Sequence, residues 1–178
     1  KKKQTNSNLK HQKLGAYIHS NSWGSAISNV PYTKMTSNID QFLYENQQSL
    51  VIFSSGNSGA SGSTVSSPSD GKNVLSVGSF TKRNAISDRI IKSKNIERSY
   101  FSSYGTHDNR IKPEILANGE YLISSYAGEM ENLKNAITQN KTGIVSFACG
   151  EMVGTSVAAP VIAALAAKMR EAFTTGFL

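Results

Sequence analysis

The apolar positions of the chain fall into short extended runs and two stretches of helical spacing. After a polar opening, Leu14 to Ile18 turns apolar and ends at Trp23-Gly24, which predicts a strand followed by a loop. Met35, Ile39, Phe42, Leu43 and Asn46 recur at helical spacing, so residues 33–48 are predicted to form an amphipathic helix with Thr33 as its cap. Leu50 to Phe53 is a continuous apolar run that leads at once into Ser54-Ser55-Gly56-Asn57-Ser58-Gly59, a buried strand ending in a tight turn of small residues. Residues 60–72 read as a Ser/Gly-rich loop, Val74 to Phe80 as an alternating strand, and 82–99 as a charged surface excursion. Ile111 to Leu116 and Tyr121 to Ser124 are short and extended, and 127–143 are polar with weak helical spacing at Met130, Leu133 and Ile137. From Thr155 to about Phe173 runs a helix of small residues. Pro160 sits in its first turns, where a missing amide hydrogen is best tolerated. This order of elements predicts an α/β fold with a mainly parallel sheet and helices on both faces.

Composition narrows the reading. The 178 residues suffice for one domain with a core. Only 17% are charged, and the net charge of +7 draws partly on Lys1, Lys2, Lys3 and Lys10. Residues 1–13 therefore read as a solvated basic lead-in, distinct from the folded stretch 14–178. Aromatic residues are not interleaved with the basic ones, which argues against nucleic-acid binding. No apolar run reaches membrane-spanning length, and no signal peptide is visible. The single cysteine, Cys149, rules out an intrachain disulfide or a cysteine-based zinc site and reads as a small buried hydrophobe.

Two motifs are suited to chemistry. In Gly154-Thr155-Ser156-Val157-Ala158-Ala159-Pro160 a serine opens a helix. Unpaired amide hydrogens and the positive dipole end there favour negative charge beside the Ser156 hydroxyl. The plainer alternative is that Ser156 or Thr155 merely caps the helix. In the Ser54–Gly59 segment, Asn57 follows a strand end, the place where α/β sheets bind ligands. An amide held there can donate to a developing oxyanion; the alternative is a turn asparagine. Gly56, Gly59 and Gly62 loosely imitate a phosphate-cradling loop, but no amphipathic helix and no Gly-Lys-Ser/Thr follows.

Together, and in this order, the two motifs resemble the subtilisin family of serine proteases. Gly154 to Pro160 is similar to its Gly-Thr-Ser-Met-Ala-Ala-Pro nucleophile signature, and Gly56-Asn57-Ser58-Gly59 to its oxyanion-hole segment. Asn21-Ser22-Trp23-Gly24 resembles the segment whose backbone pairs with substrate. Asn73 to Gly78, and Ser102 to Gly105 with Ile111 to Ile115, resemble further family blocks. The resemblance covers about residues 14–172. It implies Ser156 as nucleophile and Asn57 as side-chain oxyanion donor, with the Ser156 amide as the second donor. It also implies a substrate edge at Ser22, Trp23 and Gly24, and a pocket wall at Ser54, Ser55 and Gly56. Val153, Val157, Val161 and Asn118 depart from the family pattern without removing a catalytic group.

The resemblance also shows what is missing. The family's catalytic Asp and His lie upstream of the segment that begins at Asn21, in an Asp-Thr/Ser-Gly and a His-Gly-Thr-His motif, and neither motif occurs here. His11, His19 and His107 stand in other contexts. The expectation is the C-terminal portion of a serine endopeptidase acting on peptides or proteins, incomplete at its N-terminal side. It would depend on an N-terminal part that carries Asp and His. The competing expectation is an inactive binding module that uses the edge near Trp23. The acid-acting sedolisins also carry Gly-Thr-Ser, but Asn57 stands where they have Asp. No metal site is expected: calcium is common in the family, but the matched stretches contain no Asp cluster. The resemblance favours secretion, weakly supported by the glycosylation acceptor Asn140-Lys141-Thr142.

Overall fold

A computed structural model of the chain describes residues 10–59, 61–82, 96–125 and 149–176. The elements in order are β1 (Ile18–Asn21), α1 (Lys34–Glu45), β2 (Leu50–Ser54), β3 (Leu75–Lys82), β4 (Ile96–Arg98), β5 (Ile115–Asn118), β6 (Leu122–Ser125), β7 (Cys149–Met152) and α2 (Thr155–Thr175). Strands β1, β2, β3 and β5 run parallel, and β4 joins the end of β3 antiparallel, giving one five-stranded sheet. β6 and β7 form a separate antiparallel pair.

Side-chain alternation along β2 divides the core between the two faces of the sheet. Val51 and Phe53 point to α1, where they pack with Ile39, Phe42, Leu43 and Val74. Ile52 points the other way, to Val77, Ala117 and the Ala158, Ala159 and Ile162 face of α2. Both faces are thus covered, which is why this strand reads as an unbroken apolar run rather than an alternating one. The small residues of α2 let its backbone approach the sheet closely.

Several boundaries differ from the sequence reading. The first strand begins at Ile18, not Leu14, because residues 10–13 form a helical turn. That turn ends at Gly15, whose φ of +87° suits glycine, and the Gly15 amide donates back to the Gln12 carbonyl. α1 ends at Glu45, and Asn46 closes it by donating Nδ2 to the Phe42 carbonyl. The strand expected at 111–116 runs instead over Ile115–Asn118. Residues 112–114 are used differently: the Lys112 carbonyl accepts from Gly105 N, and its Nζ is buried against the Val74 carbonyl. β4 and β7 were not anticipated. Of the stretch 82–99, residues 83–95 lie outside the described residues, as do 127–143, Asn140 and the Lys1–Lys3 run.

Candidate active site

β1 and β2 are parallel and in register, with Asn21 opposite Phe53, so both end on the same rim of the sheet. Ser22 follows one strand end, and Ser55, Gly56 and Asn57 follow the other. The start of α2 reaches the same rim because Gly154 N donates to the Gly119 carbonyl just beyond β5, at 2.8 Å. Segments far apart in sequence thus converge at the carboxyl ends of the strands, where an α/β sheet has room for a ligand.

The helix start excludes capping as the role of Thr155 or Ser156. The N-cap is Gly154, with φ +146° and no side-chain cap bond. Thr155 and Ser156 already lie inside the helix, so neither is the capping residue. The Thr155 hydroxyl donates instead to Asn57 Oδ1 at 2.9 Å, and the Thr155 amide donates to the same oxygen at 3.0 Å. Gly56 N in turn donates to Thr155 Oγ1 at 3.2 Å. With its oxygen engaged twice, the Asn57 amide must present its NH₂ side elsewhere. A Cβ built on Gly154 would lie 3.0 Å from Ser156 Oγ and 3.4 Å from Asn57 Nδ2, so the hydroxyl and the amide face one small space beside Gly154. Ser156 N borders that space at 3.7 Å. Among the described residues Ser156 N has no acceptor, whereas Thr155 N and Val157 N both have one.

The surroundings hold this geometry. Ser103 N donates to the Gly56 carbonyl, and Ser103 Oγ accepts from Ser58 N, fixing the turn on both sides of Asn57. Ser22 Oγ donates to the Ser156 carbonyl at 2.7 Å and ties the end of β1 to the first turn of α2. Asn57 is exposed and Ser156 half-buried, so the space opens to solvent.

Of the expected substrate segments, Ser22, Trp23 and Gly24 are exposed on the rim. The Trp23 ring packs edge-on against Phe53 at 5.1 Å, and its indole N–H donates to Asn21 Oδ1. It is therefore anchored while staying 42% exposed. Gly24 lies against Ser66 and Ser67, and Ser25 N donates to the Ser67 carbonyl. The Ser54 and Ser55 side chains are buried, so what they offer at the rim is main chain. Gly56 faces Ser103 and Ser66. The histidines lie elsewhere. His11 stacks on His19 at 5.8 Å, and burial lowers the His19 pKa, with the His11 charge adding to the effect; His107 Nδ1 pairs with Asn29 Oδ1. The roles of Thr155 and Ser103 in orienting Asn57 escaped the sequence reading. Thr155 stood in view beside Ser156, and Ser103 lay in the Ser102–Gly105 block with no cue to its partner.

No helix among the described residues is long and apolar enough to cross a membrane. Among the same residues, no three His, Cys, Asp or Glu side chains gather where a metal ion would fit.

Comparison with known proteins bears on the fold and the family of the chain. The solved structure of Sphericase superposes with a TM-score of 0.60 at 21% identity, covering 93% of this chain and 46% of that one. The self-cleaved protease domain of PatA gives a TM-score of 0.62 at 18% identity, covering 96% of this chain and 52% of that one. At such identities the likeness speaks for the fold. The Serine protease/ABC transporter B family protein tagB of Dictyostelium discoideum is 39% identical over 80 residues, which are 43% of this chain and 4% of that protein. The chain thus spans about half the length of the structures it matches and a small part of that relative. The profile of the Subtilase family matches residues 2–176, nearly the whole sequence, and on that ground the chain belongs to the subtilase family.

Proposed function

We infer that this chain supplies the nucleophile and the oxyanion donors of a serine endopeptidase, and that an N-terminal part of the same domain supplies the Asp and His. The observation that carries this reading is the shared space beside Gly154, bordered by Ser156 Oγ, Asn57 Nδ2 and Ser156 N. A peptide carbonyl whose oxygen occupies that space meets the hydroxyl as nucleophile and the two N–H groups as donors to its growing negative charge. Ser156 Oγ bonds to the carbonyl carbon, the former π electrons move to the oxygen, and the oxyanion is held by Asn57 and the Ser156 amide. Collapse of that intermediate, with the base passing the Ser156 proton to the leaving nitrogen, expels the amine and leaves an acyl group on Ser156, which water then removes. The positive end of the α2 dipole lowers the cost of the same charge.

The proton of Ser156 must go to a base, and a serine hydroxyl without one is a poor nucleophile. None of His11, His19 and His107 pairs with Ser156 among the described residues. On this reading the chain alone hydrolyses peptides poorly, and the substrate lies along Ser22, Trp23 and Gly24 as an added strand.

The test is labelling with a fluorophosphonate serine-hydrolase probe, on the chain alone and on the chain joined or mixed with its N-terminal part. Labelling of Ser156 only in the completed protein is expected. Strong Ser156-dependent peptidase activity from the chain alone would overturn the dependence on that part. A folded complex that never labels would favour an inactive module binding peptides at the Trp23 edge.

A further inference from the structure

Gly24 and Gly56 stand at matched places on the rim, each three residues beyond the in-register pair Asn21 and Phe53. Both face the same oxygen. A Cβ built on Gly24 would lie 3.3 Å from Ser66 Oγ, and one built on Gly56 would lie 3.7 Å from it. Ser66 is 7% exposed, and its hydroxyl has no hydrogen-bond partner among the described residues. A hydroxyl buried and left unpaired is costly, so its place between the two glycines needs an account. The other hydroxyls around it are committed. Ser103 Oγ accepts from Ser58 N, and Ser67 Oγ pairs with the Thr33 and Thr36 hydroxyls. The segment that carries Ser66 is pinned as well. Val65 N donates to the Gly105 carbonyl at 3.0 Å, the Ser66 carbonyl accepts from Ser69 N at 2.9 Å, and the Ser67 carbonyl accepts from Ser25 N at 2.8 Å.

The two glycines flank the reactive space. Gly56 directly precedes Asn57, and Gly24 follows Ser22, whose hydroxyl holds the Ser156 carbonyl. A substrate laid along Ser22–Gly24, with its carbonyl oxygen at Asn57, directs the side chain of that same residue between the glycines. Neither glycine puts a side chain of its own into the gap, so its depth is set by the residue behind it. We propose that Ser66 closes this gap after little more than a methyl group, and so selects peptides with glycine, alanine or serine at the attacked carbonyl. The proposal rests on the peptidase reading of Ser156 and Asn57 and adds the class of substrate to it. Because its segment is tied on both sides, the Ser66 oxygen cannot retreat. A larger side chain must clash with it or draw the carbonyl away from Asn57. Serine is accepted alongside alanine because its hydroxyl can pair with the free oxygen of Ser66.

The test uses the whole polypeptide that contains this chain, with fluorogenic peptides alike except at the residue whose carbonyl is attacked. The kcat/KM for alanine is expected to exceed that for phenylalanine by at least about tenfold, since even one misfit methylene costs a closed pocket that much. Equal values, or a preference for phenylalanine, would overturn the proposal without any substitution. Ser66→Gly removes the floor and is expected to shrink the alanine-to-phenylalanine ratio at least about tenfold. The ratio is taken within one preparation, so a loss of folded protein does not move it. An unchanged ratio would take Ser66 out of this role. Fluorophosphonate labelling separates the pocket from the peptidase reading. Labelling of Ser156 with no preference for alanine would keep the peptidase and discard the pocket. A protein that never labels, yet binds the alanine peptide at least about tenfold more tightly than its phenylalanine counterpart by calorimetry, would keep the pocket and discard the peptidase.

Discussion

Thr155 holds Asn57 by one oxygen atom, through both its amide and its hydroxyl. The grip leaves the amide nitrogen of Asn57 facing the space beside Ser156, so the residue next to Ser156 sets the direction of the Asn57 amide.

Thr155→Val removes the hydroxyl half of that grip and leaves the Gly56 amide without its acceptor. A hydrogen bond of this kind is worth about 1 kcal/mol, so the completed enzyme is expected to lose roughly fivefold in kcat. KM should change little, because the effect falls on a donor that works in the transition state. Asn57→Ala should cost more, about 10²–10³ in kcat, a figure measured within the subtilisin family rather than derived from this site. Steady-state kinetics of the two variants side by side tests the order; an unchanged kcat in Thr155→Val would remove Thr155 from its positioning role.

Gly154→Ala is expected to damage the site in two ways. Its φ of +146° belongs to a region that side chains rarely adopt, with a strain of about 1–3 kcal/mol. The added methyl would also stand 3.0 Å from Ser156 Oγ, in the space proposed for the carbonyl oxygen. Probe labelling should fall below detection even in preparations that remain folded by circular dichroism. Normal labelling in Gly154→Ala would show that substrate does not use this space.

Asp70 links stability to pH. It is 3% exposed, and removal from water raises its pKa; the Thr36 hydroxyl, donating at 2.8 Å, only partly offsets this. The folded state therefore binds the proton more tightly than the unfolded one. The contribution of the protonated group is complete below the unfolded value of about 3.9 and is lost as pH rises through the raised folded value. At neutral pH the buried charge is a burden. Asp70→Asn, which keeps an acceptor for Thr36, should raise the thermal midpoint at pH 7 and change it little near pH 3.5. Melting curves of the completed protein at both pH values check the sign.

The chain on its own should be marginal in solution. β1 pairs only with β2 among the described strands, which leaves a parallel-sheet edge free to recruit other chains. Light scattering and calorimetry are expected to show association and a broad transition. A sharp two-state melt from a clean monomer would contradict this.

The sequence was most readable where burial and pattern agree. Leu50 to Phe53 is apolar because both faces of the sheet are covered there, and Thr33 caps α1 as expected, with Oγ1 accepting from Thr36 N. Hydropathy misled where an apolar residue is not in the core. Leu14 is 77% exposed in the turn closed by Gly15, and Ile111 is 93% exposed. The reverse holds for Lys112, a charged residue 5% exposed, which places the strand after it rather than around it. β4 is three residues long and owes its existence to pairing with β3, a long-range cause that no local pattern records. The motifs marked Ser156 and Asn57, but only the folded chain shows that one space serves both.

The contact between Thr155 and Asn57 spans 98 residues, and that between Ser22 and Ser156 spans 134. Neither can form on the ribosome until synthesis has passed residues 155 and 156. Closing loops of that size is slow compared with forming α1 or any hairpin. The space shared by Asn57 and Ser156 therefore appears only after strands β1 to β5 have been made, and a nascent chain halted before residue 155 has the rim of the sheet but no Ser156 on it.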